Sequence, residues 1–170
     1  MDLYSADLNL GCPQDHAKEG HYGAYLCGPG RKDWDLVQSI GASAFILQAF
    51  TEPEYFLSLV SAMSHNLTVP VSTKIRLCQP VEQTVEFAER LQDAGSSYIT
   101  LHARTVSAKN RRKGAADLNE VKILKDKLHI PVVSNGNVRV YDDLHKNRMM
   151  TGADGIMVGE TLLGNPWYVP

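Results

Sequence analysis

The sequence predicts an α/β protein in which parallel strands form a sheet and helices pack outside it. Three features carry that expectation. Five short apolar runs read as buried strands: Ala6 to Leu10, Val69 to Leu77, Tyr98 to His102, Ile130 to Ser134 and Gly155 to Gly159. Stretches of helical period lie between them. The last four runs recur at about 25 to 32 residues, the length of one strand plus a crossover helix.

The first strand ends in Asn9-Leu10-Gly11-Cys12-Pro13-Gln14, which places a thiol on a sharp turn. Gly20-His21-Tyr22-Gly23-Ala24 follows, small and polar enough for close backbone approach. From Trp34 onward Gly41 and Pro53 interrupt what would elsewhere be one crossover helix, and a helical pattern resumes at Leu57, Val60, Met63 and Leu67. Val69-Pro70-Val71 and Ile130-Pro131-Val132 are two equivalent strand starts, because proline is tolerated at a first strand residue. Val81, Val85, Ala88 and Leu91 share one helix face behind Pro80, and Ala94-Gly95 stops it. Leu118, Val121, Leu124 and Leu128 do the same after Asp117, an N-cap candidate. A shorter helix runs from Tyr141 to Met150 and stops near Thr151-Gly152.

Composition narrows the class. The chain has 170 residues, room for one domain with a core, and its 44% apolar content is ordinary for a globular protein. A net charge of -2 does not announce a nucleic-acid binder, so any RNA contact needs a local basic patch. Lys109-Asn110-Arg111-Arg112-Lys113 is one candidate, and a solvated loop is an equal reading of it. Three cysteines, Cys12, Cys27 and Cys78, have no metal-ligand spacing; they argue against a disulfide scaffold or zinc site and for a reducing compartment. No run reaches the ~18 apolar residues of a membrane span. The expected location is the cytoplasm, with the nucleus as a second one.

The strand ends suggest where function lies. Asn9, Lys74 with Arg76, His102 with Arg104, Asn135 and Glu160 each fall at or just past the C-terminal end of an apolar run. Within each pair the residues are two apart and share a sheet face. One strand ending in a polar group means little, but five out of five on one rim describe a site at the C-terminal face of a βα barrel or a doubly wound sheet. Taken singly, Cys12 also reads as a small buried hydrophobe and His102 as a satisfied structural histidine.

Taken together, these blocks resemble the tRNA-dihydrouridine synthases, most of all the eukaryotic subfamily acting on uridines sixteen and seventeen. The resemblance rests on Asp7-Leu8-Asn9-Leu10-Gly11-Cys12-Pro13-Gln14, Gly20-His21-Tyr22-Gly23-Ala24, Val69-Pro70-Val71 with Lys74-Ile75-Arg76, His102-Ala103-Arg104-Thr105, Asn135-Gly136-Asn137, and Gly159-Glu160 with Asn165-Pro166. It implies a TIM (β/α)8 barrel with FMN at its C-terminal rim. The chain would then be an incomplete barrel, strands four to eight, with residues 1–170 as a partial FMN-binding domain.

The resemblance also implies roles. Hydride passes from NADPH or NADH through FMN to a uracil ring in the tRNA D-loop, and Cys12 matches the proton donor. A thiol with a pKa of roughly 8.5 is mostly protonated at neutral pH. Lys74 matches the cation beside the flavin, and His102 matches a flavin contact. Asn135, Gly136, Asn137, Gly159 and Glu160 match the loops that hold the phosphate. Asn9 and Arg104 match positions on the substrate side. Many family members carry arginine where this chain has Glu160, which could offer phosphate only its backbone amide.

By the same comparison the chain is expected to be truncated at both ends. The stretch near 41–56, lacking a counterpart in the family pattern, is expected to be foreign, translated from a retained intron. Two other readings stand beside the enzyme: a flavin-barrel reductase of a small metabolite, and an inactive remnant of a truncated gene.

Overall fold

The computed structural model describes residues 5–11, 54–105 and 114–164, with the backbone alone at 54 and 55. Strands and helices alternate along these residues. They are β1 (Ala6–Asn9), α1 (Glu54–Asn66), β2 (Val71–Leu77), α2 (Gln83–Asp93), β3 (Tyr98–Thr105), α3 (Leu118–Lys127), β4 (Val132–Asn135), α4 (Asp142–Thr151), β5 (Gly155–Met157) and α5 (Glu160–Gly164).

The five strands form one sheet in the order β1-β2-β3-β4-β5, and every neighbouring pair is parallel. A doubly wound sheet reverses its strand order at a switch point and divides its helices between two faces. Here the order never reverses. Right-handed crossovers then bring α1 to α4 to the same side. Accordingly α1 touches α2, α2 touches α3, and α3 touches α4. The order is consistent with part of a TIM-barrel-like domain and lacks the reversal that a doubly wound sheet requires.

The core lies between sheet and helices. On β3, Ile99, Leu101 and Ala103 face the helices, as do Ile75 and Leu77 on β2 and Val132 on β4. They meet Phe56 and Val60 of α1, Ala88 and Leu91 of α2, and Val121 and Leu124 of α3. The alternate residues of the same strands face the other way, and they are mostly polar: Ser72, Lys74, Arg76, Thr100, His102, Arg104 and Asn135.

Local signals in the sequence become specific contacts. Pro70 and Pro131 sit one residue before β2 and β4, so the strands start later than their apolar runs. Each proline offers its carbonyl, Pro70 to Ala6 N–H at 2.9 Å and Pro131 to Ile99 N–H at 3.1 Å, and needs no donor of its own. Asp117 caps α3, its carboxylate accepting Asn119 N–H at 3.1 Å. Gly152 closes α4 at φ 67°, the left-handed turn that favours glycine. Strand β3 runs past His102 to Thr105, so Arg104 lies inside a strand and not in the loop after it. The stretch near 41–56 lies outside the described residues but for 54–56, of which Phe56 is buried in the core.

Candidate active site

The register brings the expected residues side by side. Asn9 pairs with Lys74, and Arg76 pairs with His102, which pairs in turn with Asn135. Partners across a parallel ladder point to the same face, so these five side chains form two adjacent polar rows. Both rows lie on the face opposite the helices. Asn9 and Asn135 end β1 and β4, and Arg76 stands one residue from the end of β2. Lys74 and His102, expected at strand ends, lie inside β2 and β3 because those ladders run on to Leu77 and Thr105. Gly136 and Asn137 continue from β4, and Gly159 and Glu160 follow β5.

The turn after β1 is held from both sides. Asn9 Oδ1 accepts Gly11 N–H at 2.9 Å, and Arg76 Nε donates to the Gly11 carbonyl at 2.7 Å. Lys74 Nζ lies 3.6 Å from where a Cβ on Gly11 would stand. Leu10, fully buried, anchors the same turn in the core and donates its N–H to Lys74 O at 2.8 Å. The chain then leads into Cys12, which lies outside the described residues, as do Gly20 to Ala24 and the basic run 109–113.

At the other side of the rim His102 and Arg104 form a pair. Arg104 Nη1 stands 3.0 Å from His102 Nε2, and Arg104 Nη2 donates to Asn137 Oδ1 at 3.3 Å. Asn137 faces Ala116 with its whole amide, Oδ1 accepting Ala116 N–H and Nδ2 donating to Ala116 O, each at 2.7 Å. Burial pushes the His102 imidazole down to about 3, and Arg76, Lys74 and Arg104 push the same way. It is therefore neutral through the physiological range. Burial also pulls the Arg104 guanidinium below its ordinary value; Arg139 adds to this and Glu160 opposes it.

Two further features mark this face. Asn135 Nδ2 donates to Met157 O at 2.8 Å, tying β4 to β5. Thr100, wholly buried between Lys74 and Val133 in the ladder, has a hydroxyl with no hydrogen-bond partner among the described residues. A buried hydroxyl left without a partner is costly; Ser134 Oγ and Asn147 Oδ1 share that condition among the described residues. Nothing in the sequence singles Thr100 out, because a threonine in an apolar strand reads as ordinary β-former.

Arg76 has a bridging role that its place in the sequence does not show. Its spacing from Lys74 puts it on the rim, but its partner comes from the turn after β1. A register shift between Arg76 and Leu77 pairs Leu77 with Thr105, and Arg76 Nη1 reaches Thr105 O at 3.2 Å. Cys78, by contrast, is a half-buried thiol beside Thr84; burial pushes it up, away from reactivity.

Lys74, Arg76 and Arg104 put three cations on this face, with Arg139 and Glu160 near Arg104. A family model described as dihydrouridine synthase matches residues 37–170. The chain belongs to the dihydrouridine synthase family.

Its relatives agree in name. A Mus musculus protein named tRNA-dihydrouridine(16/17) synthase NAD(P)(+)-like is 35% identical over 160 residues, covering 94% of this chain and 29% of the relative. The Saccharomyces cerevisiae tRNA-dihydrouridine(16/17) synthase is 34% identical over 164 residues, 95% of this chain and 33% of the relative. A Homo sapiens tRNA-dihydrouridine(20a/20b) synthase-like protein is 29% identical over 163 residues, 94% of this chain and 43% of that protein. Likeness to the 16/17 relatives thus exceeds likeness to the human 20a/20b one. The chain spans about a third of the length of the 16/17 relatives. Among solved structures a mandelate oxidase variant aligns at a TM-score of 0.46 and 16% identity over 61% of this chain and 35% of its own, too slight a likeness to decide anything.

Proposed function

We propose that this chain forms strands four to eight of the barrel of a tRNA-dihydrouridine synthase, binding FMN at the strand C-terminal rim and reducing uridine in the tRNA D-loop with NADPH or NADH. The observation that carries the reading is the row Arg76–His102–Asn135 standing beside Asn9–Lys74 on the face opposite the helices. The residues present fit a flavin mononucleotide. Lys74 and Arg76 offer cations for its reduced ring, Gly136 and Gly159 leave room for backbone approach to its phosphate, and the buried Thr100 hydroxyl lacks a partner on the same face among the described residues.

FMN, when bound, supplies the hydride transfer between the nicotinamide donor and the uracil ring. The protein's own residues do the rest. Lys74 and Arg76 place positive charge where negative charge develops. His102, neutral, contributes a hydrogen bond and no charge. Asn135 to Asn137, Gly159 and Glu160 form the phosphate side of the rim. Asn9 and Arg104 lie on the substrate side. Cys12 holds the proton that its Sγ gives to the uracil ring, a role that rests on its motif. The target uridine has to leave its stack to reach a recessed site of this kind.

The test is reconstitution. The purified chain is mixed with FMN, and flavin absorbance retained after desalting is measured. It is then incubated with unmodified tRNA and NADPH or NADH, and dihydrouridine is counted by mass spectrometry. The reading expects bound flavin and dihydrouridine, and a Cys12→Ala variant that keeps flavin but loses most turnover. Flavin without tRNA reduction would favour a small-metabolite reductase; no flavin would favour an inactive remnant. The stretch near 41–56 we read as a retained intron. A mature transcript lacking it supports that reading, and a transcript encoding it as given overturns it.

A further inference from the structure

We propose that Arg104 is a positioning residue: its guanidinium holds the His102 ring as the tautomer protonated on Nδ1 and locks that ring to the loop before α3 through Asn137. The inference rests on the flavin reading for its purpose, but its geometry stands alone.

The tautomer follows from donor arithmetic. Arginine carries five N–H donors and no acceptor, and it stays protonated. With Nη1 at 3.0 Å from His102 Nε2, that nitrogen has to accept. An imidazole whose Nε2 accepts is not the cation, and its one proton sits on Nδ1. The electrostatics agree: Arg76 and Lys74 on β2 and Arg104 on β3 all oppose a charged ring. His102 therefore presents an N–H donor and no acid proton on its far nitrogen.

Arg104 is itself held. Its Nη2 donates to Asn137 Oδ1 at 3.3 Å, and its Nε points to Gly114 O at 3.4 Å. Asn137, whose φ of 58° puts it in the left-handed region, is fixed by two 2.7 Å bonds to the Ala116 backbone. Gly136 packs directly on Ala116; a Cβ there would stand 2.6 Å from the Ala116 Cβ and 3.9 Å from His102 Cδ2. One network thus joins β3, the loop before α3 and the turn after β4 around a single ring. With three of its nitrogens engaged inside the protein, Arg104 is a support for His102 before it is a substrate ligand.

The experiment reads the ring directly. In the full chain labelled with 15N, long-range 1H–15N spectra assigned with a His102→Asn variant report which ring nitrogen carries the proton between pH 6 and 8. The parent should show the proton on Nδ1, and Arg104→Met should lose that preference. FMN titration gives the second readout. Asparagine places its amide nitrogen near the imidazole Nδ1 and glutamine places it near Nε2. His102→Asn should therefore bind FMN about tenfold more tightly than His102→Gln, and Arg104→Met should bind it about tenfold more weakly than the parent. A parent ring protonated on Nε2, or an unchanged tautomer in Arg104→Met, overturns the proposal even if that variant unfolds no more readily than the parent. A parent chain that shows the Nδ1 tautomer yet binds no FMN supports the positioning and defeats the flavin reading.

Discussion

Arg76 donates through Nε to the Gly11 carbonyl at 2.7 Å and through Nη1 to Thr105 O at 3.2 Å. One guanidinium on β2 thereby joins the turn after β1 to the end of β3. Hydrogen bonds from a charged group are worth more than neutral ones, about 1.5 to 3 kcal/mol each where water is partly excluded. Arg76→Met, which removes both, should lower unfolding free energy by about 3 kcal/mol or more in urea titration. Arg76→Lys should recover less than half of it, since an ammonium cannot span both carbonyls in the fork geometry. Equal stabilities for the three proteins would mean that the bridge does not hold the turn.

Gly136 is required for two independent reasons, space and backbone angle. Its φ is 139°, a region open to glycine and closed to most L residues, and a Cβ there meets Ala116 Cβ at 2.6 Å. Gly136→Ala should cost at least about 2 kcal/mol. Adding Ala116→Gly removes the clash but not the angle, so the double variant should regain part of the loss and not all. Full recovery would assign the whole effect to packing; no recovery would assign it to φ.

The strands and helices α1 to α4 were legible because each strand is a short apolar run and each of these helices has a period or a marked end; α5, one short turn after β5, was not. Asp117 caps α3 and Gly152 ends α4, as their residue types imply. The strand-end rule located the rim for a physical reason: residues two apart share a face, so polar groups ending apolar runs have to collect on one side. Partners were not legible. Arg76 reaches a carbonyl 65 residues away in sequence, and Asn137 turns its amide on Ala116, 21 residues before it. Pairings of that range depend on register, including the shift at Leu77, and no local pattern encodes them. The extent of β3 was underestimated because His102 and Arg104 end its apolar run, although its ladder continues to Thr105.

The cap of α3 gives a local test of that legibility. Asp117 has extended backbone, and its carboxylate satisfies one of the first-turn N–H groups. Asp117→Ala should destabilise the chain by about 1 kcal/mol, and Asp117→Asn by a few tenths or less. Thermal unfolding followed by circular dichroism separates the two. A loss as large for asparagine as for alanine would mean that charge near the helix start, and not the hydrogen bond, is what matters.

Acid should expose His102. Its imidazole is held near 3 in the folded chain, first by burial and then by Arg76, Lys74 and Arg104, against about 6.5 when unfolded. Above pH 6.5 neither state takes the proton, and the contribution to stability is complete. As pH falls below that value the unfolded chain binds a proton that the folded chain refuses, so stability drains away until the folded value is reached. Between pH 7 and pH 5 this amounts to about 2 kcal/mol. His102→Asn has no imidazole to titrate and should be spared that part of the loss, whatever other groups do in common. Urea titrations of both proteins at pH 7, 6 and 5 make the comparison. Parallel curves would mean that the ring protonates freely in the folded state, and that neither burial nor the three cations around it keep it neutral.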